Sequence, residues 1–165
     1  MINIQKYNLQ VIKESGGRYD LSRTIRSAAT ARDVFIEVLN LDKRAEEVFA
    51  MITLDVKSKI TGVFEVSVGS ISGALVTPRE VFKRALLTNS KAVIFAHNHP
   101  SGEPQPSSDD INITKKLVKS GKILNIDVFD HLILGNANDN YISLKSEGYI
   151  AVSYTHLTLP TKRIV

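Results

Sequence analysis

The chain has 165 residues, of which 43% are hydrophobic and 23% charged, which is typical of one globular domain. It contains no cysteine, so disulfides and thiolate metal ligands are excluded, as in many proteins of reducing compartments. The apolar runs are too short to span a bilayer and the N-terminus lacks a signal-peptide core, so we expect a cytoplasmic protein. The net charge of +4 includes Lys162 and Arg163, and the small remaining surplus does not favour a dedicated nucleic-acid binder.

The first predicted elements lead into the main domain. Residues 6–15 alternate loosely between polar and apolar side chains, which predicts a strand ending at Gly16 and Gly17. Residues 30–40 predict a helix that Thr30 caps. We therefore expect residues 1–40 to form an N-terminal strand and helix, followed by a domain over residues 41–150.

The main domain shows strands and helices in irregular alternation. Residues 46–54 and 59–70 predict a hairpin around the turn at 55–58. Residues 78–87 predict a helix with proline in its first turn, and the apolar run 92–96 predicts a strand buried on both faces. A helix over 107–124 and strands over 128–134 and 141–143 follow. The pattern predicts an α/β protein of the α+β type, with a mixed sheet flanked by helices.

The C-terminal residues have no clear period. The peptide VSYTHLTLPT, residues 152–161, looks like the translation of a transposon-based sequencing adapter. We therefore expect residues 151–165 to be a non-native tail, and His156 is not considered as a metal ligand.

A candidate metal site follows the buried strand, in the sequence AHNHPSGEPQPSSDD. His97 and His99 are separated by one residue, so on an extended chain both side chains point to the same side. The prolines and Gly102 turn the chain, and Asp110 falls in the first turn of the next helix. Two histidines and a carboxylate suit zinc, and three protein ligands leave a fourth position for water.

Each part of this pattern also has a simpler interpretation. A lone H-x-H is common, and Ser107 with Asp110 fits a helix-start capping box. Glu65, a candidate for proton transfer within an apolar strand, also fits the solvent-facing side of that strand. His131 fits either a satisfied core histidine or a group next to the metal. The conjunction of these features favours a metal site.

The same residues resemble a known family. The segment from VGSISG to ITKKL, residues 68–117, and DHLILG, residues 130–135, resemble the RadC-like branch of the JAB/JAMM metalloproteases, also called MPN domains. The resemblance covers residues 41–150 and implies a curved β-sheet flanked by helices, a cytidine-deaminase-like fold.

The resemblance also implies roles for individual residues. His97, His99 and Asp110 would bind zinc, Glu65 would act as general acid/base, and Ser107 would donate a hydrogen bond to the oxyanion. The glutamate position varies by one residue within this branch. Asp109 is an alternative to Asp110, although the Ser-x-x-Asp spacing favours Asp110.

Three functions follow as hypotheses. The first is a zinc-dependent metallohydrolase, a metallopeptidase or isopeptidase that cleaves an amide bond of a peptide or protein with an activated water. The second is a DNA-repair-associated nucleic-acid-binding protein, as the family name suggests. The third is a catalytically silent MPN interaction module. We expect no membrane partner, and the oligomeric state stays open.

Overall fold

The computed structural model describes residues 2, 4–69, 76–136 and 139–151, so the predicted adapter tail beyond Ala151 lies outside the described residues. Within these ranges no helix is both long enough and apolar enough to cross a membrane. The helices are α1 (Ala28–Leu39), a 3-10 helix (Leu41–Lys43), α2 (Pro78–Leu87) and α3 (Ser108–Leu124). The strands are β1 (Val48–Leu54), β2 (Ile60–Val68), β3 (Ala92–Asn98), β4 (Asp127–Leu134) and β5 (Tyr141–Ser143).

The five strands form one open mixed sheet in the order β2-β1-β3-β4-β5. β1 pairs antiparallel with both β2 and β3, β3 pairs parallel with β4, and β4 pairs antiparallel with β5. The parallel pair needs a crossover, and α3 supplies it. The predicted mixed sheet flanked by helices is confirmed.

Helices cover both faces of the sheet. On one face, α1 packs Phe35 against a layer that includes Ala96 of β3. On the other face, α2 and α3 contribute Phe82 and Leu117 to a layer that includes Phe95 of β3. Every residue of β1 and β3 is buried, as the continuous apolar run of residues 92–96 predicts for a strand enclosed on both faces.

Helix starts follow local capping chemistry. Ser27, rather than the predicted Thr30, is the N-cap of α1, because its side chain accepts from the Thr30 backbone N–H and Thr30 completes the capping box. α2 begins at Pro78 as predicted, with the Thr77 side chain accepting from the Glu80 backbone N–H. The α1 prediction therefore placed the N-cap three residues late.

The predicted hairpin of β1 and β2 is confirmed. The Asp55 carboxylate accepts from the backbone N–H groups of Lys57 and Lys59, at 2.8 Å and 2.9 Å. Ser58 adopts a left-handed conformation with φ of 56° in the same turn. The hydrogen bond from Lys59, joined by that from Lys57, lowers the pKa of Asp55 against the opposing effect of desolvation.

The predicted strand at residues 6–15 is wrong. These residues belong to no helix or strand, and their side chains, Tyr7, Leu9 and Ile12 among them, are exposed. The chain first joins the sheet at Thr24, which forms a bridge with Lys59. A strand needs a partner for its backbone groups, and the alternating pattern of residues 6–15 does not supply one.

Candidate metal centre

Three potential ligands meet where β3 ends and α3 begins. His97 Nε2 lies 3.0 Å from His99 Nε2 and 3.3 Å from Asp110 Oδ1. His99 Nε2 lies 3.5 Å from Asp110 Oδ2. The ligand atoms of all three residues lie within 4.8 Å of one another. The strand end and the helix start therefore build a group that can hold a metal ion.

Each histidine directs its Nε2 atom into this group. His99 Nδ1 lies 2.7 Å from the backbone carbonyl of Glu103, which can only accept, so Nδ1 carries the hydrogen. His97 Nδ1 lies 2.8 Å from His131 Nε2. The loop carbonyl and the buried His131 thus hold the far side of each ring, which leaves the two Nε2 atoms facing Asp110.

Asp110 is buried and closely held by its neighbours. The Ser107 backbone N–H and hydroxyl both donate to Asp110 Oδ2 at 2.7 Å, and the Asp110 N–H donates to Ser107 Oγ at 3.1 Å. Burial alone would raise the pKa of Asp110, but the imidazoles of His97 and His99 and the hydrogen bond from Ser107 outweigh it and hold the pKa far below its usual range. Asp110 is therefore ionised, whereas the alternative residue Asp109 is exposed.

Ser107 caps α3 as the sequence predicts. Its hydroxyl hydrogen goes to the Asp110 carboxylate in this structure, so donation to an oxyanion requires the hydroxyl to rotate. The oxyanion role of Ser107 stays a prediction.

Glu65 is not brought to the ligand group. Its carboxylate Oε1 lies 2.6 Å from Arg44 Nη1, and Glu65 pairs with Ala50, whose side chain packs in the layer beneath α1. His97 pairs with Phe49 and lies on the opposite face of the sheet. The predicted general acid/base role of Glu65 therefore conflicts with the geometry, because alternation along β2 turns this side chain away from the site.

Glu47, which the sequence pattern did not single out, is a carboxylate that lies near the site. Glu47 precedes β1 by one residue and Phe49 by two, so it shares the face of Phe49 and His97. The Asp110 hydrogen bond raises the pKa of His99 against the opposing effect of burial, and the nearby charge of Glu47 adds to the rise. The sequence signal that could have revealed Glu47 is an acidic residue just before a buried strand, where the neighbouring strand ends in the H-x-H motif.

Asn98 holds the segment that carries Glu47. The buried Asn98 side chain accepts from the Val48 backbone N–H at 2.8 Å. Its amide group donates to the carbonyls of Glu46 at 3.0 Å and Arg44 at 3.2 Å. These three bonds fix the backbone on both sides of Glu47.

His131 lies fully buried behind His97. Its ring meets Phe49 and Phe95 edge-on, with centroid distances of 5.2 Å and 6.0 Å. Its Nδ1 atom lies 2.6 Å from Thr114 Oγ1 of α3. Burial lowers the pKa of His131 well below its usual value, so the ring is neutral at pH 7.

The sequence matches one protein family and is similar to several curated proteins. The RadC-like JAB domain family matches residues 25–149. A UPF0758 protein of Methanosarcina acetivorans is 44% identical over 126 residues, which are 76% of this chain and 54% of that protein. A UPF0758 protein of Desulfitobacterium hafniense is 46% identical over 117 residues, 71% of this chain and 49% of that protein. One of Caldanaerobacter subterraneus subsp. tengcongensis is 40% identical over 144 residues, 86% and 61% of the two chains.

This chain spans about half the length of the curated relatives it matches. The matched region contains the five-stranded sheet, its three α-helices and the group of His97, His99 and Asp110. At a coarse level, this combination supports a metal-binding hydrolase. The chain belongs to the family of RadC-like JAB domains.

Proposed function

We propose that this chain is a zinc-dependent metallopeptidase that hydrolyses a peptide or isopeptide amide bond in a peptide or protein substrate. One observation carries the proposal. The Nε2 atoms of His97 and His99 lie 3.0 Å apart, and the two Asp110 carboxylate oxygens lie 3.3 Å from His97 Nε2 and 3.5 Å from His99 Nε2, so three ligand residues converge on one point. Three protein ligands leave a fourth position open, which is the arrangement of catalytic rather than structural zinc sites.

The separations between the ligand atoms are of the size that a bound zinc ion requires. Donors at about 2.0–2.1 Å from a tetrahedral zinc ion lie about 3.3 Å from one another. The donor set of two imidazoles and one carboxylate also matches the ligand preference of zinc. The donor set supports zinc over magnesium or calcium, which prefer oxygen ligands in larger number.

Glu47 is the residue that we expect to move protons. Zinc bound by the three ligands would supply a Lewis acid that polarises the amide carbonyl and lowers the pKa of water. The Glu47 carboxylate, on the same face as His97, would take a proton from the attacking water and deliver it to the leaving amine nitrogen as the C–N bond breaks. Glu65 has no part in this mechanism because it lies on the other face of the sheet.

The first experiment compares two glutamine variants. We expect Glu47→Gln to retain one zinc per chain and to lose about 10²–10⁴-fold in peptidase activity, the usual contribution of a general acid/base. Glu65→Gln is the matched control and should keep the wild-type rate. Zinc content is measured by elemental analysis, and activity with a fluorogenic peptide library and an isopeptide-linked substrate.

The histidine double variant, His97→Ala with His99→Ala, tests the site itself. It should contain almost no zinc while wild type contains one per chain. A folded, zinc-loaded wild type that cleaves no amide substrate would contradict peptidase activity and would leave the interaction-module hypothesis. Nucleic-acid binding is a separate hypothesis, and steep salt dependence of DNA binding would support it.

A further inference from the structure

A chain of hydrogen bonds runs from the backbone of α3 to the candidate ligand His97. Thr114 Oγ1 lies 2.6 Å from the Asp110 carbonyl oxygen and 2.6 Å from His131 Nδ1. His131 Nε2 lies 2.8 Å from His97 Nδ1. Thr114 and His131 are both fully buried, so water cannot replace any of these partners.

The position of each hydrogen follows from the first acceptor. A carbonyl oxygen cannot donate, so the Thr114 hydroxyl donates its only hydrogen to Asp110. Thr114 Oγ1 can then only accept from His131, which places the ring hydrogen of His131 on Nδ1. In the neutral ring, Nε2 is left as an acceptor, and His97 must donate from its own Nδ1. His97 Nε2 is therefore the ring atom that can give a lone pair to a metal ion, and it faces the ligand group.

We propose that Thr114 and His131 are a pair of positioning residues that hold His97 in the one tautomer able to bind a metal ion through Nε2. This inference rests on the proposed zinc site. Thr114 and His131 thereby gain a role, although neither is a metal ligand and neither takes part in the proposed proton transfer. Outer hydrogen bonds of this kind typically contribute 10–100-fold to metal affinity.

Loss of the Thr114 hydroxyl would reverse the order of hydrogens. The His131 Nδ1–H would have no acceptor, which is costly for a buried donor. The ring can avoid this cost by moving its hydrogen to Nε2, but that atom faces His97 Nδ1 at 2.8 Å. His97 would then carry its hydrogen on Nε2, where it blocks metal binding.

The test compares Thr114→Val with Thr114→Ser. Valine keeps the shape of threonine without the hydroxyl, whereas serine keeps the hydroxyl. Zinc affinity is measured by competition with a chromophoric chelator. The tautomer of His97 is measured by ¹⁵N-detected imidazole NMR on the zinc-free protein at pH 8. We expect Thr114→Val to bind zinc about 10–100-fold more weakly and to shift the His97 hydrogen from Nδ1 to Nε2, and Thr114→Ser to resemble wild type.

A second pair of variants covers the case in which valine disturbs the fold. His131→Gln can accept from His97 through its carbonyl and donate to Thr114 through its amide, whereas His131→Phe can do neither. We expect zinc affinity and the His97 tautomer to be largely retained in His131→Gln and lost in His131→Phe. Thermal unfolding of each variant, measured without zinc, separates a loss of fold from a loss of tautomer.

The result that overturns the inference is a folded Thr114→Val with wild-type zinc affinity and the hydrogen of His97 still on Nδ1. An equal loss of zinc affinity in His131→Gln and His131→Phe would also overturn it, because the loss would then not depend on the hydrogen bonds of residue 131. The NMR measurement needs no zinc. If wild type binds no zinc but Thr114→Val still shifts the tautomer, the proposed function fails while the hydrogen-bond chain stands.

Discussion

At the scale of single residues, Asn98 is a buried polar side chain that supports the site through its hydrogen bonds to the backbone. Asn98 is 2% exposed and uses its side-chain oxygen and its amide group on three backbone partners. None of those partners belongs to the ligand group. Asn98 therefore acts on the site through the backbone that carries Glu47.

Replacement of Asn98 should separate catalysis from metal binding. Asn98→Ala leaves the buried Val48 N–H without its acceptor, which costs about 1–3 kcal/mol in the free energy of unfolding. We expect a drop in kcat with little change in zinc affinity, since His97 and His99 keep their own partners. Asn112→Ala, at an exposed position of α3, is the control. A proportional loss of zinc affinity and kcat in Asn98→Ala would contradict this assignment.

The residues of the ligand group were accessible from sequence, whereas Glu47, the proposed proton-transfer residue, was not. His97 and His99 follow from alternation along one strand, and Asp110 from a capping box three residues after Ser107, so each depends on local geometry alone. The choice between Glu47 and Glu65 depends on the register between β1 and its two neighbours. That register includes an irregularity between Phe49 and Ala50, which no local pattern reveals.

At the scale of elements, the hairpin of β1 and β2 depends on its turn. Asp55 accepts from two backbone N–H groups, and these bonds lower its pKa. A depressed pKa means that the ionised form is favoured in the folded state. The stabilising contribution is therefore present above the unfolded pKa of about 3.9 and is lost as the pH falls through the folded value.

We expect Asp55→Ala to lower the free energy of unfolding at pH 7 and to differ less from wild type as the pH falls below about 3.9. Asp55→Asn keeps an acceptor without a titrating group and is the comparison that isolates the charge. Urea denaturation of the three proteins between pH 7 and pH 3 gives the measurement. A difference between wild type and Asp55→Ala that stays constant over this range would argue against the linkage.

The predictions of helices and strands succeeded where local sequence signals mark the ends of the element. α2 begins at Pro78 and ends at Leu87 as predicted, because proline and the threonine cap mark its start. The predicted strand at residues 6–15 failed because alternation states only that a segment suits a sheet. Whether a sheet edge is available depends on the rest of the fold, and the segment before α1 meets the edge of the sheet at Thr24, beyond residues 6–15.

At the scale of the whole molecule, a metal ion in the ligand group would join two layers. His97 belongs to the sheet and Asp110 to α3, so binding stabilises the packing of the helix on the sheet. Zinc at 100 times its Kd should add about 2.7 kcal/mol to the free energy of unfolding. For a chain of this size, the melting temperature should rise by about 5–11 °C.

Differential scanning calorimetry with added zinc and with a chelator checks this expectation. The His97→Ala, His99→Ala double variant should melt at the same temperature under both conditions. An equal shift in that variant would indicate zinc binding elsewhere on the chain.

Asp110 takes part in the site through two groups, its carboxylate and its backbone carbonyl, and the contacts from these two groups form a closed ring. Its carboxylate faces His97 directly, and its backbone carbonyl reaches the same histidine through Thr114 and His131. A displacement of α3 along the sheet would therefore move the Asp110 carboxylate. It would also disturb the hydrogen bonds that place the ring hydrogen of His97. With a metal ion bound, metal affinity and helix docking would be coupled, and by reciprocity each would strengthen the other by the same free energy. A metal ion bound here would thus act as a latch between helix and sheet, beyond its proposed part in hydrolysis.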